Sequence, residues 1–225
     1  MCGRFAQVIK YDRLQKLEKE LLLNKKSEQI ELNYNVAPTQ TVAAVLSQDA
    51  GRYVGFFRWG LIPSWSRELP KFNLINARAE TITEKPSFRK GLQRQRCLVP
   101  ANGFYEWRKG DKQPFFIHAA HDDLIYLAAI YDSWHGPDGS YIPSLAIITT
   151  DANPQMQKLH HRMPVLLFGS DRLAWLEHTQ TDPLDFVPLL KPADEGSIAM
   201  HPVSKFVNKV GNNSEECVKP LPDQE

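Results

Sequence analysis

The chain has almost no cysteine: Cys2, Cys97 and Cys217 are the only three in 225 residues, odd in number and far apart, with no CxxC spacing. A disulfide framework and a cysteine zinc site are thereby excluded as organising devices, and a reducing, cytoplasmic compartment is the expectation. Long apolar runs are also missing. No segment approaches the roughly 20 apolar residues of a membrane span, and the N-terminus lacks an apolar run of signal-peptide type, so no membrane partner is expected. Charge of one sign is absent, since 27 Lys and Arg against 26 Asp and Glu leave a formal net charge of +1. A uniformly basic surface is ruled out, and any nucleic-acid contact must come from a local cluster of Arg and Lys. There is no Walker loop, no GxGxxG and no GxSxG, which removes the usual supports for nucleotide hydrolysis, dinucleotide chemistry and the α/β-hydrolase triad. No HxxxH pair is present either, and no metal site is expected.

What is present can bury one substantial core: hydrophobic residues make up 42% and aromatics 10% of the chain. From Tyr11 to about Leu23, Leu14, Leu17, Leu21 and Leu22 recur at helical spacing among Lys and Glu, which predicts a surface helix with one buried stripe. The middle of the chain reads as short β-rich runs at 41–47, 53–59, 96–99, 104–107, 115–118, 125–131, 145–150 and 165–168. Short helices are expected after Asn153-Pro154, Ser170-Asp171 and Asp182-Pro183, where a capping side chain precedes a residue suited to the first turn. The 16 prolines fall mainly between these runs and punctuate loops. The expected fold is α+β: a single compact domain with a mostly antiparallel, barrel-like β-sheet core and peripheral helices, over residues 1–218. Residues 219–225, polar and proline-rich, read as a flexible C-terminal tail.

Chemistry concentrates at four places. Cys2 follows Met1 directly, and removal of Met1 would leave an α-amine and a thiol on one residue. Such a 1,2-aminothiol condenses with an aldehyde to an imine and closes through sulfur to a thiazolidine; it can also act as an N-terminal nucleophile. Gly3, Arg4 and Phe5 beside it offer close approach, an anion donor and an anchor. Glu106 lies in the aromatic run Gly103-Phe104-Tyr105-Glu106-Trp107, with Phe104 and Glu106 on one strand face and Tyr105 and Trp107 on the other. Partial desolvation there raises a carboxyl pKa towards the range of a neutral-pH acid or base; the alternative is a strand glutamate turned to solvent or paired with Arg108 or Arg96. In Lys158-Leu159-His160-His161-Arg162-Met163-Pro164, an imidazole suits proton transfer and a guanidinium suits phosphate, although adjacent histidines rarely point the same way and either one can be a core hydrogen-bonding group. Asn76 and Arg78, two apart in 72–80, share one side of an extended stretch and fit sugar and phosphate recognition. Upstream, Trp65 in a proline-bearing loop suits stacking on unpaired bases better than Trp59, which sits at a strand end.

Taken in order, Met1-Cys2-Gly3-Arg4-Phe5, Tyr34-Asn35-Val36-Ala37-Pro38, Arg58-Trp59-Gly60-Leu61-Ile62-Pro63, Ile75-Asn76-Ala77-Arg78-Ala79-Glu80-Thr81, Gly103-Phe104-Tyr105-Glu106-Trp107 and His160-His161-Arg162-Met163-Pro164 closely resemble the SRAP family, the SOS-response-associated peptidases. His201-Pro202-Val203-Ser204 and Asn212-Asn213 resemble that family's C-terminal pattern, so the likeness spans nearly the whole chain. It implies a protein of the DNA damage response that recognises single-stranded DNA and crosslinks itself to abasic sites, without metal or organic cofactor. Carried over residue by residue, Cys2 is the nucleophile that forms the thiazolidine with the ring-opened sugar. Asn76 orients terminus and sugar, and Glu106 and His160 handle proton transfers. Arg4, Arg78 and Arg162 contact phosphates, with Trp65 near the DNA path. The resemblance also implies self-removal of Met1, a peptidase-like hydrolase activity, though an ordinary methionine aminopeptidase could do the same job, and an abasic-site lyase activity arises as a side branch when ring closure by sulfur is slow.

Rival readings stay open on the sequence. Class II glutamine amidotransferases share the Met-Cys-Gly opening, which would make the chain an N-terminal cysteine amidohydrolase. A non-covalent single-stranded-DNA or damage-binding module would leave Cys2 incidental. A free-standing thiol protease has Cys and His but no identified oxyanion hole. A monomer is the expectation for a protein that wraps one strand.

Overall fold

Alternating apolar side chains in the β-prone runs give each strand two buried faces, and the chain satisfies both by closing a barrel inside a shell of helices and a second sheet. The structure is a computed structural model and describes residues 2–25, 27, 29–70, 72–179 and 182–222. In chain order the elements are β1 (Phe5–Gln7), α1 (Tyr11–Glu20), β2 (Asn33–Val36), β3 (Thr41–Gln48), β4 (Gly51–Trp59) and β5 (Asn76–Arg78). There follow α2 (Pro86–Arg94), β6 (Arg96–Ala101), β7 (Gly103–Trp107), β8 (Pro114–Ala119), β9 (Ile125–His135) and β10 (Tyr141–Asp151). The last are α3 (Pro154–Gln157), β11 (Arg162–Pro164), α4 (Asp171–Trp175) and β12 (Ile198–Pro202), with 3-10 turns at 79–81, 183–189, 205–208 and 215–217. Among the described residues no helix is long and apolar enough to cross a membrane.

Strands β10, β4, β3, β6 and β9 are neighbours in that order, and β9 pairs back onto β10, so the ring closes. All these pairings are antiparallel except β10 with β4; β10 also carries β5 parallel on one flank and β11 antiparallel on the other. Ala43, Val45, Leu98, Ala128, Ile130, Ala146 and Ile148 pack with Leu14 and Leu17 of α1, Phe88 and Leu92 of α2 and Trp175 of α4. Helices cannot enter a five-stranded barrel, so this is its outer face. The alternate residues, among them Val42, Ala44, Phe57, Trp59, Val99, Leu127, Leu145 and Ile147, form the inner core. A second sheet, ordered β12-β8-β7-β1-β2, contributes Phe5, Phe104 and Ile117 to that same core and so closes one mouth of the barrel.

Gln7 seals the seam between the two sheets. The β3–β6 register, Val45 opposite Leu98 and Leu46 opposite Cys97, brings Ala43 opposite Pro100, which has no N–H to donate. The buried Gln7 amide fills the gap: Nε2 donates to the carbonyls of Ala43 and Pro100 at 2.9 Å each, and Oε1 accepts from the Ala43 N–H at 2.8 Å. Gly103, at the start of β7, is required by close approach, because a Cβ there would meet the Ile117 carbonyl oxygen at 2.4 Å.

The α+β architecture with a barrel core is as expected, and most central strands lie where the β-rich runs predict. Three local expectations are corrected. The first helix stops at Glu20. The run 165–168 forms no ladder; β11 lies just before it, at Arg162–Pro164, and the chain continues extended, with Leu166 bridging Leu127 alone. Asn153 and Asp182 cap as expected, their side chains accepting from the N–H of Met156 and Leu184 at 2.9 Å each, whereas Ser170 makes no side-chain cap. Of the expected C-terminal tail, Pro220 bridges Val203 and Leu221 N–H bonds the Pro202 carbonyl, while 223–225 lie outside the described residues.

Candidate active site at the N-terminal strand

The N-terminal segment enters the barrel mouth because Phe5 is an apolar anchor. Phe5 is fully buried, and its ring sits 4.9 Å from that of Trp59, whose own indole N–H donates to the Ile75 carbonyl at 3.0 Å. Strand β1 pairs β2 on one side and β7 on the other, so the segment that carries Cys2 runs beside the strand that carries Glu106. Cys2 packs in the inner core with Phe104, and in the chain that carries Met1 it exposes 0% of its surface. Burial pushes its thiol up to about 12, with the Glu106 charge acting in the same direction.

Phe104 joins the inner core while Tyr105 and Trp107 pack on the outer side of their sheet, so the alternation turns Glu106 to the Cys2 side. Glu106 is 7% exposed, and burial holds its carboxyl above the ordinary range, the direction expected of a carboxylate in an aromatic strand. The neighbouring cations have other partners: Arg108 pairs with Asp111, and Arg96 caps the C-terminal end of α2 by donating to the carbonyls of Leu92 and Gln93.

Asn76 stands at the start of β5, where parallel pairing to Ile147 of β10 fixes it beside the N-terminal segment. Its Nδ2 donates to the Cys2 carbonyl at 2.9 Å, and its Oδ1 is buried without a partner among the described residues. His160 follows α3, and its Nδ1 lies 2.9 Å from the Arg162 backbone N–H. Nδ1 also lies 3.3 Å from the Arg162 carbonyl, but the shorter contact is with an amide N–H, which can only donate, and this favours the neutral tautomer with its lone pair on Nδ1 and its proton on Nε2. Burial lowers the pKa of His160, which keeps the ring neutral at neutral pH. The rings of His160 and His161 stack with centroids 4.3 Å apart, so these adjacent histidines do lie side by side, contrary to expectation.

The four residues expected to contact DNA divide into two pairs. Trp65 is 66% exposed on a loop whose backbone is fixed: Ser64 N–H donates to Asp132 at 2.7 Å, and Trp134 Nε1 donates to the Ser66 carbonyl at 2.7 Å. Arg78 is exposed at the end of β5. Arg4 and Arg162, by contrast, are engaged inside the protein. Arg4 Nη1 donates to Asn35 Oδ1 at 2.7 Å and to the Val207 carbonyl at 2.9 Å. Arg162 is buried among Glu80, Asp151 and Thr149.

Two features went unassigned in the sequence. Phe72 is 83% exposed, an apolar ring on the same loop as Trp65, signalled only by its place in a polar, proline-flanked segment. Asn35 is fully buried, and its Nδ2 approaches the carbonyls of Val207, Lys209 and Asn212 at 2.9–3.1 Å, tying the C-terminal turns to Arg4.

A family model described as SOS response associated peptidase matches residues 1–210. The chain belongs to the SRAP family. Similar SRAP relatives include the abasic site processing protein YoqW of Bacillus subtilis, 38% identical over 224 residues, which span 97% of this chain and 99% of that one. The abasic site processing protein HMCES of Gallus gallus is 36% identical over 84% of this chain and 66% of its own length. Among solved structures, a protein from Bacteroides thetaiotaomicron superposes with a TM-score of 0.86 at 28% identity, covering 98% of this chain and all of that one.

Proposed function

We propose that this SRAP chain processes abasic sites in single-stranded DNA by trapping the ring-opened deoxyribose aldehyde on Cys2 after Met1 is removed. The observation that carries the reading is the Asn76 bond to the Cys2 carbonyl, which holds an N-terminal cysteine beside a buried carboxyl of raised pKa. Burial raises the Cys2 thiol to about 12 in the chain that carries Met1, far above the reference α-amine value of roughly 7.7–8.0, so the amine is the group that attacks first.

Glu106 takes a proton from the α-ammonium and returns it to the hydroxyl that leaves the carbinolamine as water. The Cys2 sulfur then adds to the imine carbon, its proton passing to the nitrogen, and closes the thiazolidine. Asn76 Oδ1, unpaired among the described residues, accepts from the freed amine and aims it. His160 Nε2–H hydrogen-bonds the sugar ring oxygen, favouring the open aldehyde. Arg78 and the Trp65 face engage phosphate and base, and the fixed charge of Arg4 adds positive potential along the strand, whereas Arg162 is neutralised by Glu80 and Asp151. β-Elimination from the imine gives the lyase side branch, and Met1 removal is self-processing at the same site. The protein acts as a monomer, in the cytoplasm.

The test is a crosslinking assay on an oligonucleotide with one abasic site. The reading predicts a band that survives high salt and denaturing electrophoresis for the wild type and none for Cys2→Ala; a complex fully dissociated by salt in both would establish a non-covalent module instead.

A further inference from the structure

Strands β5 and β11 flank β10 on opposite sides of its C-terminal half: Ile147–Thr149 pair with Asn76–Arg78, and Thr149–Asp151 pair with Pro164–Arg162. One flank carries Asn76 and the other follows His160. The Arg162 side chain, 7% exposed, crosses from one flank to the other. Its Nη1 and Nη2 donate to the two carboxylate oxygens of Glu80 at 2.7 and 2.9 Å, and Nη2 also donates to the Thr149 carbonyl of β10 at 2.7 Å. Asp151 accepts from Nη1 at 2.8 Å, but its side chain is largely exposed and makes one bond where Glu80 makes two. Burial opposes the Arg162 charge, and Glu80 and Asp151 together more than offset it, so its pKa lies above the ordinary value while that of Glu80 lies below. The bidentate geometry makes Glu80 the principal restraint on this guanidinium.

We propose, building on the abasic-site reading above, that Glu80 is a positioning residue for the reaction: through Arg162 it straps the strand of Asn76 to the segment of His160 and fixes the His160 tautomer. The link to His160 is the backbone N–H of Arg162 itself, which donates to Nδ1 and so places the ring proton on Nε2. Glu80 touches neither DNA nor the reacting atoms in this scheme. Without its carboxylate the buried guanidinium turns towards Asp151, the 160–162 segment shifts, and both partners of the reacting centre lose register. Asp151, the last residue of β10, and Glu80, just beyond β5, so act on one arginine, and only Glu80 bears on Asn76.

Glu80→Gln keeps the size and removes the charge, and three readouts on the full chain, with Met1 removal confirmed by mass, decide the matter. Thermal melting establishes that the variant is folded. The crosslinking rate at saturating abasic oligonucleotide is expected to fall on the order of tenfold to a hundredfold, the effect of sub-ångström to ångström misplacement, with the half-saturating DNA concentration unchanged. Nitrogen-15 NMR of the His160 ring is expected to show the Nε2–H tautomer in the wild type and a mixture in the variant. A folded variant that crosslinks at the wild-type rate overturns the proposal, as does one that only needs more DNA. A wild type that forms no adduct overturns the underlying reading instead, and the ring tautomer then still decides whether Glu80 orients His160: an unchanged tautomer rejects it.

Discussion

Replacing Gln7 with Leu tests how the reactive N-terminus is attached to the barrel. The substitution roughly conserves volume and removes the amide that stands in for the missing N–H of Pro100. Three buried main-chain groups lose a partner, namely the Ala43 N–H, the Ala43 carbonyl and the Pro100 carbonyl. An orphaned buried polar group costs about 1–3 kcal/mol, so the loss is about 3 kcal/mol or more, with no cavity to add to it. Against the roughly 5–15 kcal/mol that holds a typical domain folded, that is a large share. Urea unfolding followed by circular dichroism measures it as a lower midpoint at unchanged slope. Because Gln7 ends the strand that begins at Phe5, the crosslinking rate should fall at temperatures where the variant is still folded. A loss below about 1 kcal/mol, within the range of one ordinary hydrogen bond, would refute the argument that the amide completes the β3–β6 ladder.

Cys2→Ser should abolish the heat-stable adduct yet leave an imine that borohydride traps, read on a denaturing gel; an unchanged heat-stable crosslink contradicts closure through sulfur. Glu106→Gln should slow crosslinking by about 10²–10⁴-fold, the usual worth of a positioned proton-transfer group. The same variant should be more stable than the wild type at neutral pH. A carboxyl whose folded pKa is raised contributes stability below its unfolded pKa and loses it as pH rises through the folded one, so the advantage of Gln should vanish as pH falls towards 4. Gly103→Ala drives a Cβ into the Ile117 carbonyl, so β7 and β8 must separate, and both melting temperature and crosslinking should drop. Arg78→Ala should weaken binding to intact single strands and lower the salt slope by about 0.7 for each phosphate the side chain neutralises, measured by fluorescence anisotropy.

The barrel strands were legible because alternation and β-branched residues mark a half-buried strand locally. Strands β1, β2, β5 and β12 were not, since each is five residues or shorter and exists through pairing with distant segments. Helix α2 was missed although Pro86 at its first turn is a start signal; its stripe of Phe88 and Leu92 is too short to stand out. At the site, residue chemistry identified Cys2, Asn76, Glu106 and the His160-His161 pair as candidates, the family resemblance chose His160 of the two, and the structure brings Asn76 and Glu106 to Cys2. It could not show which arginines face solvent. A guanidinium that binds phosphate and one that ties two strands together look the same in sequence, and Glu80 and Arg162 are 82 positions apart.

The measurement that bears most directly on the central claim is intact mass spectrometry of the purified protein, before and after incubation with a single-stranded oligonucleotide carrying one abasic site. The account predicts loss of Met1, then an adduct localised to Cys2 whose mass is one water less than the sum of protein and DNA. A processed protein that keeps its mass unchanged, or an adduct on any other residue, would contradict it.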